Sequence, residues 1–326
     1  MIVGGGNILF KGSWKACLPF FILACLLWGC TSNSDTLIVN FQKTDSPKKP
    51  ANQPPRSSPL RVAVGAMVSP KETFVHYRQL FEFIGGKIGR PVELVQRKTY
   101  LEINQLLGRN EIDLAFICSG PYAGGKEAYG FHVLAVPQVQ GGHFYRSYLI
   151  VNQKQAYQRL EDLRGRVFAF TDPDSNTGRL APAFWLHQRG ERPERFFSKI
   201  IYTYSHDNSI LAVGRGLVDG AAVDGLVWEY FLGANPELTR PTRIILKSEP
   251  YAIPPVVASR DFPQEKRKQI GEILLSMHLE AEGRQILREL MIDRFIVPPA
   301  DWFENTREIQ KRMAVLKEKA HGTKKP

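Results

Sequence analysis

Three short polar stretches hold the residue types best suited to gripping a small anion. The longest is Thr171-Asp172-Pro173-Asp174-Ser175-Asn176-Thr177-Gly178-Arg179. Ser175 and Thr177 offer hydroxyls, and Gly178 lets a ligand approach the backbone closely. The N–H groups that open a helix lack intrahelical partners and present the positive end of the helix dipole. A plain helix cap at Ser175 accounts for the same residues without any ligand. The second stretch is Cys118-Ser119-Gly120-Pro121-Tyr122. Here Ser119 can cap a helix or bind, and Tyr122 can pack or hydrogen-bond. The third is Ser205-His206-Asp207. An isolated histidine is more often structural than a ligand, but this one stands one residue inside a junction between elements.

Those stretches need strands and helices to hold them. Residues 60–65 read as a strand, and 71–88 as a helix with Phe74, Tyr77, Leu80, Phe81 and Ile84 at helical spacing. A strand at 92–95, a helix at 101–107 and a nearly all-apolar strand at 112–117 follow. Pro121 predicts the next helix start, and 132–136 is a further strand. A second block places strands at 148–151, 166–170, 199–204, 220–224 and 243–246, with helices over 177–189 and after Ser205. Residues 256–259 form a last strand, followed by helices at 263–278 and 280–291 and a charged helix after Trp302. Alternation of this kind predicts an α/β fold with sheets flanked by helices, and its two blocks predict two lobes. Ligands in such folds lie beyond the carboxyl ends of strands, where all three polar stretches fall.

The ordered set of pieces resembles one family. The pieces are Glu111-Ile112-Asp113-Leu114-Ala115-Phe116, Gly120-Pro121-Tyr122, Asp172 to Gly178, Ser205-His206-Asp207, and Gly216 to Asp224 with Glu249-Pro250 and Ile253-Pro254-Pro255. Together they resemble the phosphate/phosphite/phosphonate-binding (PhnD-like) substrate-binding proteins of ABC transporters. The resemblance implies a two-lobed type II periplasmic-binding fold, each lobe a mostly parallel sheet flanked by helices. Lobe I is expected from 60–147 and 251–303, and lobe II from 148–250. The family holds its ligand with a Ser-Thr-Ser-Gly turn. Ser175, Thr177 and Gly178 match it, while Asn176 replaces the middle threonine and still offers its backbone N–H. By the same resemblance Tyr122 and His206 are oxyanion donors, and Asp224 meets the far end of the ligand, such as an amine. Ser119, Tyr100 and Ser69 lie at further first-lobe junctions and complete the expected ligand-binding set. The function implied is capture of a small oxyanion (phosphonate, phosphate or phosphite) by a monomer, for an ABC permease and ATPase, without cofactor. Signalling to a membrane kinase, or binding of a sulfonate or another small organic anion, uses the same fold and stays open.

The first thirty residues address the protein outward. Lys11 and Lys15 precede an apolar run from Ala16 to Gly29 that ends at Cys30, the pattern of a secretory signal. Leu27-Trp28-Gly29-Cys30 resembles a lipobox, which predicts a signal peptide over 1–29 and a lipidated Cys30 that ties the protein to a membrane. Residues 30–59 are polar and proline-rich and read as a flexible linker, and 304–326 as a charged helix and tail. Of the four cysteines only Cys118 is then left, so no intrachain disulfide is expected.

Composition narrows the function classes. The net charge is +11, lowered by two once Lys11 and Lys15 leave with the signal. No basic run interleaved with aromatics accompanies it, and the chain reads as exported, so nucleic acid is not an expected partner. No phosphate-binding Gly-x-x-x-x-Gly-Lys-Ser/Thr loop, Gly-x-Gly-x-x-Gly, His-Glu-x-x-His or Gly-x-Ser-x-Gly occurs, and none of the seven histidines pairs at metal-ligand spacing. Cys118 reads as a buried inert thiol, so the expectation is binding rather than catalysis.

Overall fold

The computed structural model describes residues 58–65 and 70–322. The expected signal peptide, Cys30, most of the expected linker and Ser69 fall outside the described residues. The strands build two main sheets. The first has the order β13-β4-β12-β3-β1-β2, from β1 (Leu60–Val64), β2 (Val92–Val95), β3 (Leu114–Phe116), β4 (His132–Gln138), β12 (Val256–Ala258) and β13 (Arg294–Ile296). The second has the order β10-β6-β9-β7-β8, from β6 (Ser147–Asn152), β7 (Val167–Phe170), β8 (Lys199–Tyr202), β9 (Gly220–Asp224) and β10 (Thr242–Lys247).

The two sheets share one construction. β1 runs parallel to β2 and β3, and β12 is inserted antiparallel between β3 and β4. β7 runs parallel to β8 and β9, and β6 is inserted antiparallel between β9 and β10. In both cases the inserted strand is the one arriving from the other sheet. It enters where the parallel strands end, so it must run against them. The carboxyl ends of both parallel sets therefore face the junction between the sheets. A two-stranded ribbon, β5 (Phe144–Tyr145) against β11 (Tyr251–Ala252), joins the two crossings.

Side-chain alternation along the strands gives each sheet two apolar faces. Val62, Val64, Leu114 and Phe116 pack into one core with Leu80, Phe81 and Ile84, while Ala63, Ala115 and Ile117 face Ile103, Leu107 and Phe131. In the second sheet Phe168, Phe170, Leu149 and Val151 pack with Phe184 and Phe196, while Ala169, Ile150 and Val223 meet Ile210 and Val213. Helices on both faces explain why β9 is buried along its whole length.

The terminal helix, Glu304–Gly322, touches both halves. Arg307 Nε and Gln310 Nε2 donate to the carbonyls of Ala123 and Gly120, at 3.1 and 2.9 Å, in the helix that follows β3. Ile309 is buried in the core that contains Leu180 and Phe184. No described helix is long and apolar enough to cross a membrane.

Several elements differ from the sequence expectation. The helix expected over 177–189 opens instead with a π-helical turn, Asn176–Leu180, before the α-helix Ala181–His187. The helix expected to open at Pro121 begins at Ser119, with Pro121 inside its first turn, where a missing N–H costs nothing. A further helix, Gly225–Ala234, follows β9 directly.

Candidate functional site

The carboxyl ends of β2, β3, β7, β8 and β9 each carry one part of the site. At β7 the chain turns through Asp172 and Ser175 into the π-helical turn. Ser175 caps it, its Oγ accepting from the Gly178 N–H at 2.9 Å. The Ser147 hydroxyl donates to the Thr177 carbonyl at 2.6 Å and so fastens the turn to β6. A Cβ on Gly178 would lie 2.4 Å from Thr171 Oγ1 and 2.9 Å from Ser175 Oγ, which makes glycine a steric requirement there. A wide turn spaces its backbone groups more loosely than an α-helix, and single π turns inside helices occur often at functional sites.

The first sheet meets this turn at two places. Ser119 opens the helix after β3, and its Oγ lies 2.6 Å from the Tyr145 hydroxyl. Asn176 Nδ2 donates to the same hydroxyl at 3.3 Å. One tyrosine on the linking ribbon thus joins a residue of each half. Gly120 sits so close that a Cβ would be 2.9 Å from the Asp174 carbonyl and 3.1 Å from the Asn176 nitrogen. At the second place the Tyr100 N–H, which opens the helix after β2, donates to Asp172 Oδ2 at 3.2 Å, while Asp172 Oδ1 accepts from the Asp174 N–H at 2.8 Å. Lys98 adds a cation over the Tyr204 ring at 4.2 Å.

His206 and Asp224 form the floor on the second sheet. The Asp224 N–H donates to His206 Nδ1 at 3.0 Å, and Thr171 Oγ1 lies 3.1 Å from the same nitrogen. Nδ1 is therefore the acceptor and Nε2 carries the proton. Burial lowers the His206 pKa to about 3, so the ring is neutral at physiological pH. Asp224 Oδ1 caps the Gly225–Ala234 helix, accepting from Leu226 and Val227 at 2.8 and 3.3 Å. Burial outweighs those two hydrogen bonds and raises the Asp224 carboxyl to about 7. Asp172 is also raised, again by burial first.

Three buried polar side-chain atoms here lack a hydrogen-bond partner among the described residues: Thr177 Oγ1, Asn176 Oδ1 and the Tyr100 hydroxyl. Buried polar groups are normally satisfied; the Thr177 and Tyr100 hydroxyls are donors that a ligand with several acceptors relieves, while Asn176 Oδ1 calls for a donor, such as a protonated ligand oxygen. The Tyr100 and Tyr145 hydroxyls are raised far above the ordinary phenol range, first by burial and then by neighbours that include Cys118 and Asp224. Both stay protonated and able to donate. None of the side chains that line this junction by these contacts is an arginine, and the one lysine is engaged with Tyr204. The arrangement offers neutral donors to an anion, the way helix termini do.

Of the expected residues, the fold brings together Ser119, Tyr100, Ser175, Asn176, Thr177, Gly178, His206 and Asp224. Tyr122 goes elsewhere. Its ring packs edge-on to Phe303, with centroids 4.5 Å apart, in the core beneath Ala63 and Ala115. It follows Ser119 by three positions and leaves the helix on the core side. Cys118 is buried and raised to about 11 by that burial. Sequence reasoning passed over Tyr145, Ser147 and Thr171. Thr171 ends the same strand that aims the turn. Tyr145 and Ser147 stand in a short crossing with no periodicity to mark them. Among the described residues no group of three His, Cys, Asp or Glu side chains is placed to hold a metal ion.

Comparison with known proteins adds an independent line. The family model for the periplasmic phosphonate substrate-binding protein of ABC transporters matches residues 62–303. A curated relative is the "Probable ABC transporter phosphite binding protein PhnD1" of Prochlorococcus marinus (strain MIT 9301), 26% identical over 181 residues. The matched stretch covers 52% of this chain and 61% of that protein, so the likeness spans about three-fifths of the relative's length. Among solved structures, the binding protein component of an ABC phosphonate transporter from Pseudomonas aeruginosa superposes with a TM-score of 0.74 at 20% identity, covering 78% of this chain and 86% of that one. PhnD1 from Prochlorococcus marinus (MIT 9301) in complex with methylphosphonate gives 0.69 at 20% identity, covering 78% and 98%. At that identity the two structures speak for the fold.

Proposed function

Because the chain belongs to the phosphonate periplasmic substrate-binding family of ABC transporters, we propose that it captures a small phosphorus oxyanion at the junction of its two sheets and delivers it to an importer. Phosphonate, phosphate and phosphite share the chemistry the junction suits. The observation that carries this reading is the convergence of neutral donors and three orphaned polar atoms on the π-helical turn. The ligand oxygens sit at Ser175, Thr177 and the opening N–H groups of the turn, with His206 Nε2–H, the Tyr100 hydroxyl and one hydroxyl of the Ser119–Tyr145 pair as further donors. Asp224 lies at the far end of the ligand. The protein binds and releases its ligand unchanged, as a monomer.

In this reading the lobes comprise 60–147 with 251–303, and 148–250, and they close by bending at the β5–β11 ribbon. Cleavage before Cys30 and lipidation of that residue hold the protein on the outer side of a membrane. A 31–59 tether behaving as coil would reach on the order of 30 Å.

Calorimetric titration of the full chain in detergent with phosphate, phosphite, methylphosphonate, 2-aminoethylphosphonate and a sulfonate series tests this. Binding of at least one phosphorus oxyanion, weakened roughly 10- to 100-fold by Thr177→Ala, is expected for loss of one hydrogen bond to a charged group. No heat with any phosphorus oxyanion would sink the ligand assignment. Unchanged affinity in Thr177→Ala would move the site away from the turn.

A further inference from the structure

Beside Asp224 the junction opens into a second space of different character. It is a chamber of about 100 Å³ walled by Phe116, Val139, Leu226, Val227, Ile253 and Leu290. That is several times the roughly 30 Å³ share of one water molecule. Asp224 lines it as well as capping the helix behind the anion site, so the two spaces share that wall. Tyr77 adds a ring, and its hydroxyl is raised above the ordinary phenol range by burial first and then by Asp224 and Tyr230. The phenol stays neutral and lies within electrostatic reach of the shared carboxyl.

The chamber favours hydrocarbon over a cation. One oxygen of each of its two carboxylates is engaged: Asp224 Oδ1 accepts two backbone N–H groups, and Glu229 Oε1 accepts the Tyr148 hydroxyl. Gln140 and the phenols of Tyr77 and Tyr230 are the other polar side chains on a lining that is otherwise mostly carbon, and taking an ammonium out of water demands close, well-formed pairing. An uncharged hydrocarbon group needs none and gains by leaving water.

We propose that the ligand is a phosphonate whose carbon-bound substituent is an uncharged alkyl or aryl group larger than methyl. Its oxygens lie at the turn and its hydrocarbon in this chamber. The inference rests on the reading of the turn as a phosphonate site.

The test is titration of the full chain with methyl-, n-butyl-, phenyl- and 2-aminoethylphosphonate, each alone and in competition. Burial of one methylene is worth about fourfold in affinity, so the butyl compound should bind on the order of 50-fold tighter than the methyl compound. Val139→Phe and, from a different element, Leu290→Phe fill the chamber. Each should cut that advantage to below about fivefold and leave methylphosphonate affinity within about twofold. A thermal melt checks that each variant folds, and two walls keep the test alive if one does not. Three results would overturn the inference while the phosphonate reading stands: aminoethylphosphonate binding tighter than butylphosphonate, methylphosphonate binding tightest of the series, or a butyl preference untouched by both substitutions. Failure of every phosphonate to bind would remove the underlying reading, and this inference with it.

Discussion

Replacing Asp224 by asparagine should stabilise the ligand-free protein at neutral and alkaline pH and leave it unchanged in acid. The carboxyl is buried and titrates at about 7 in the folded chain, against an ordinary value of 3.8. Well below pH 3.8, both folded and unfolded chains hold the proton, and the residue costs nothing. Between pH 4 and pH 7 the unfolded chain releases the proton while the folded chain retains it, so stability falls as pH rises. Above pH 7 both have released it and the loss is complete. A difference of about three pKa units corresponds to an accumulated cost of about 4 kcal/mol. The asparagine of the variant does not titrate, and its side-chain oxygen can still accept from Leu226 and Val227, so the helix cap survives. His206 titrates with the opposite sense. Its proton affinity is lowered to about 3, so stability is lost as pH falls below 6.5. That contribution belongs to both proteins and cancels in their difference. Urea unfolding of wild type and Asp224→Asn at unit intervals from pH 4 to pH 9 measures the effect. The expected difference rises from near zero to about 2–4 kcal/mol in favour of the variant. A difference that stays flat, or that is larger in acid, would refute the assignment of a neutralised buried carboxyl.

Three other outcomes follow from the same geometry. Gly178→Ala places a methyl against Thr171 Oγ1 and pushes Thr171 off His206, so phosphonate affinity should drop at least about 100-fold, since a one-ångström misplacement is that costly at a preorganised site; titration beside a thermal melt separates lost binding from lost folding. Tyr145→Phe removes the hydroxyl shared by Ser119 and Asn176 and should cost about 1–3 kcal/mol in urea unfolding, with weaker ligand binding. Phosphonate affinity of the wild type should fall as pH rises through about 7, because the ionised Asp224 at the far end of the site then adds a negative charge that repels the bound anion; in Asp224→Asn the calorimetric affinity should lose that contribution.

Local pattern carried the fold a long way. The apolar run 112–117 and the strand-helix alternation after residue 60 are consequences of sheets covered on both faces, and such burial leaves its mark on the central strands. The Asp172 to Gly178 stretch was visible for a related reason: its hydroxyls and glycine stand at the end of one of those strands. Other parts depend on pairings between distant segments. Asp172 looks like a turn residue, and its second role, accepting the N–H of Tyr100 seventy-two positions away, exists only once the two sheets meet. Tyr145 lies in a strand of two residues, too short for any alternation. The Gly225–Ala234 helix is apolar almost all round, so no period separates a buried face from an exposed one. Tyr122 was misplaced because a helix beginning at Ser119 turns its fourth residue inward, which a start at Pro121 does not reveal.

The two-residue strand that holds Tyr145 has a further consequence. The strand is paired with Tyr251–Ala252, the other crossing between the sheets, and the Tyr145 hydroxyl touches a residue of each half. In the proposed closure, bending at these crossings moves a group that also shapes the ligand's surroundings. Occupancy and bend angle become conjugate variables, and their coupling has to be reciprocal. Any partner that grips the bent form more strongly when ligand is present must, by the same factor, tighten the ligand's hold. In that reading, unloading requires that work be done on the crossings themselves, where the Tyr145 hydroxyl meets Ser119 and Asn176.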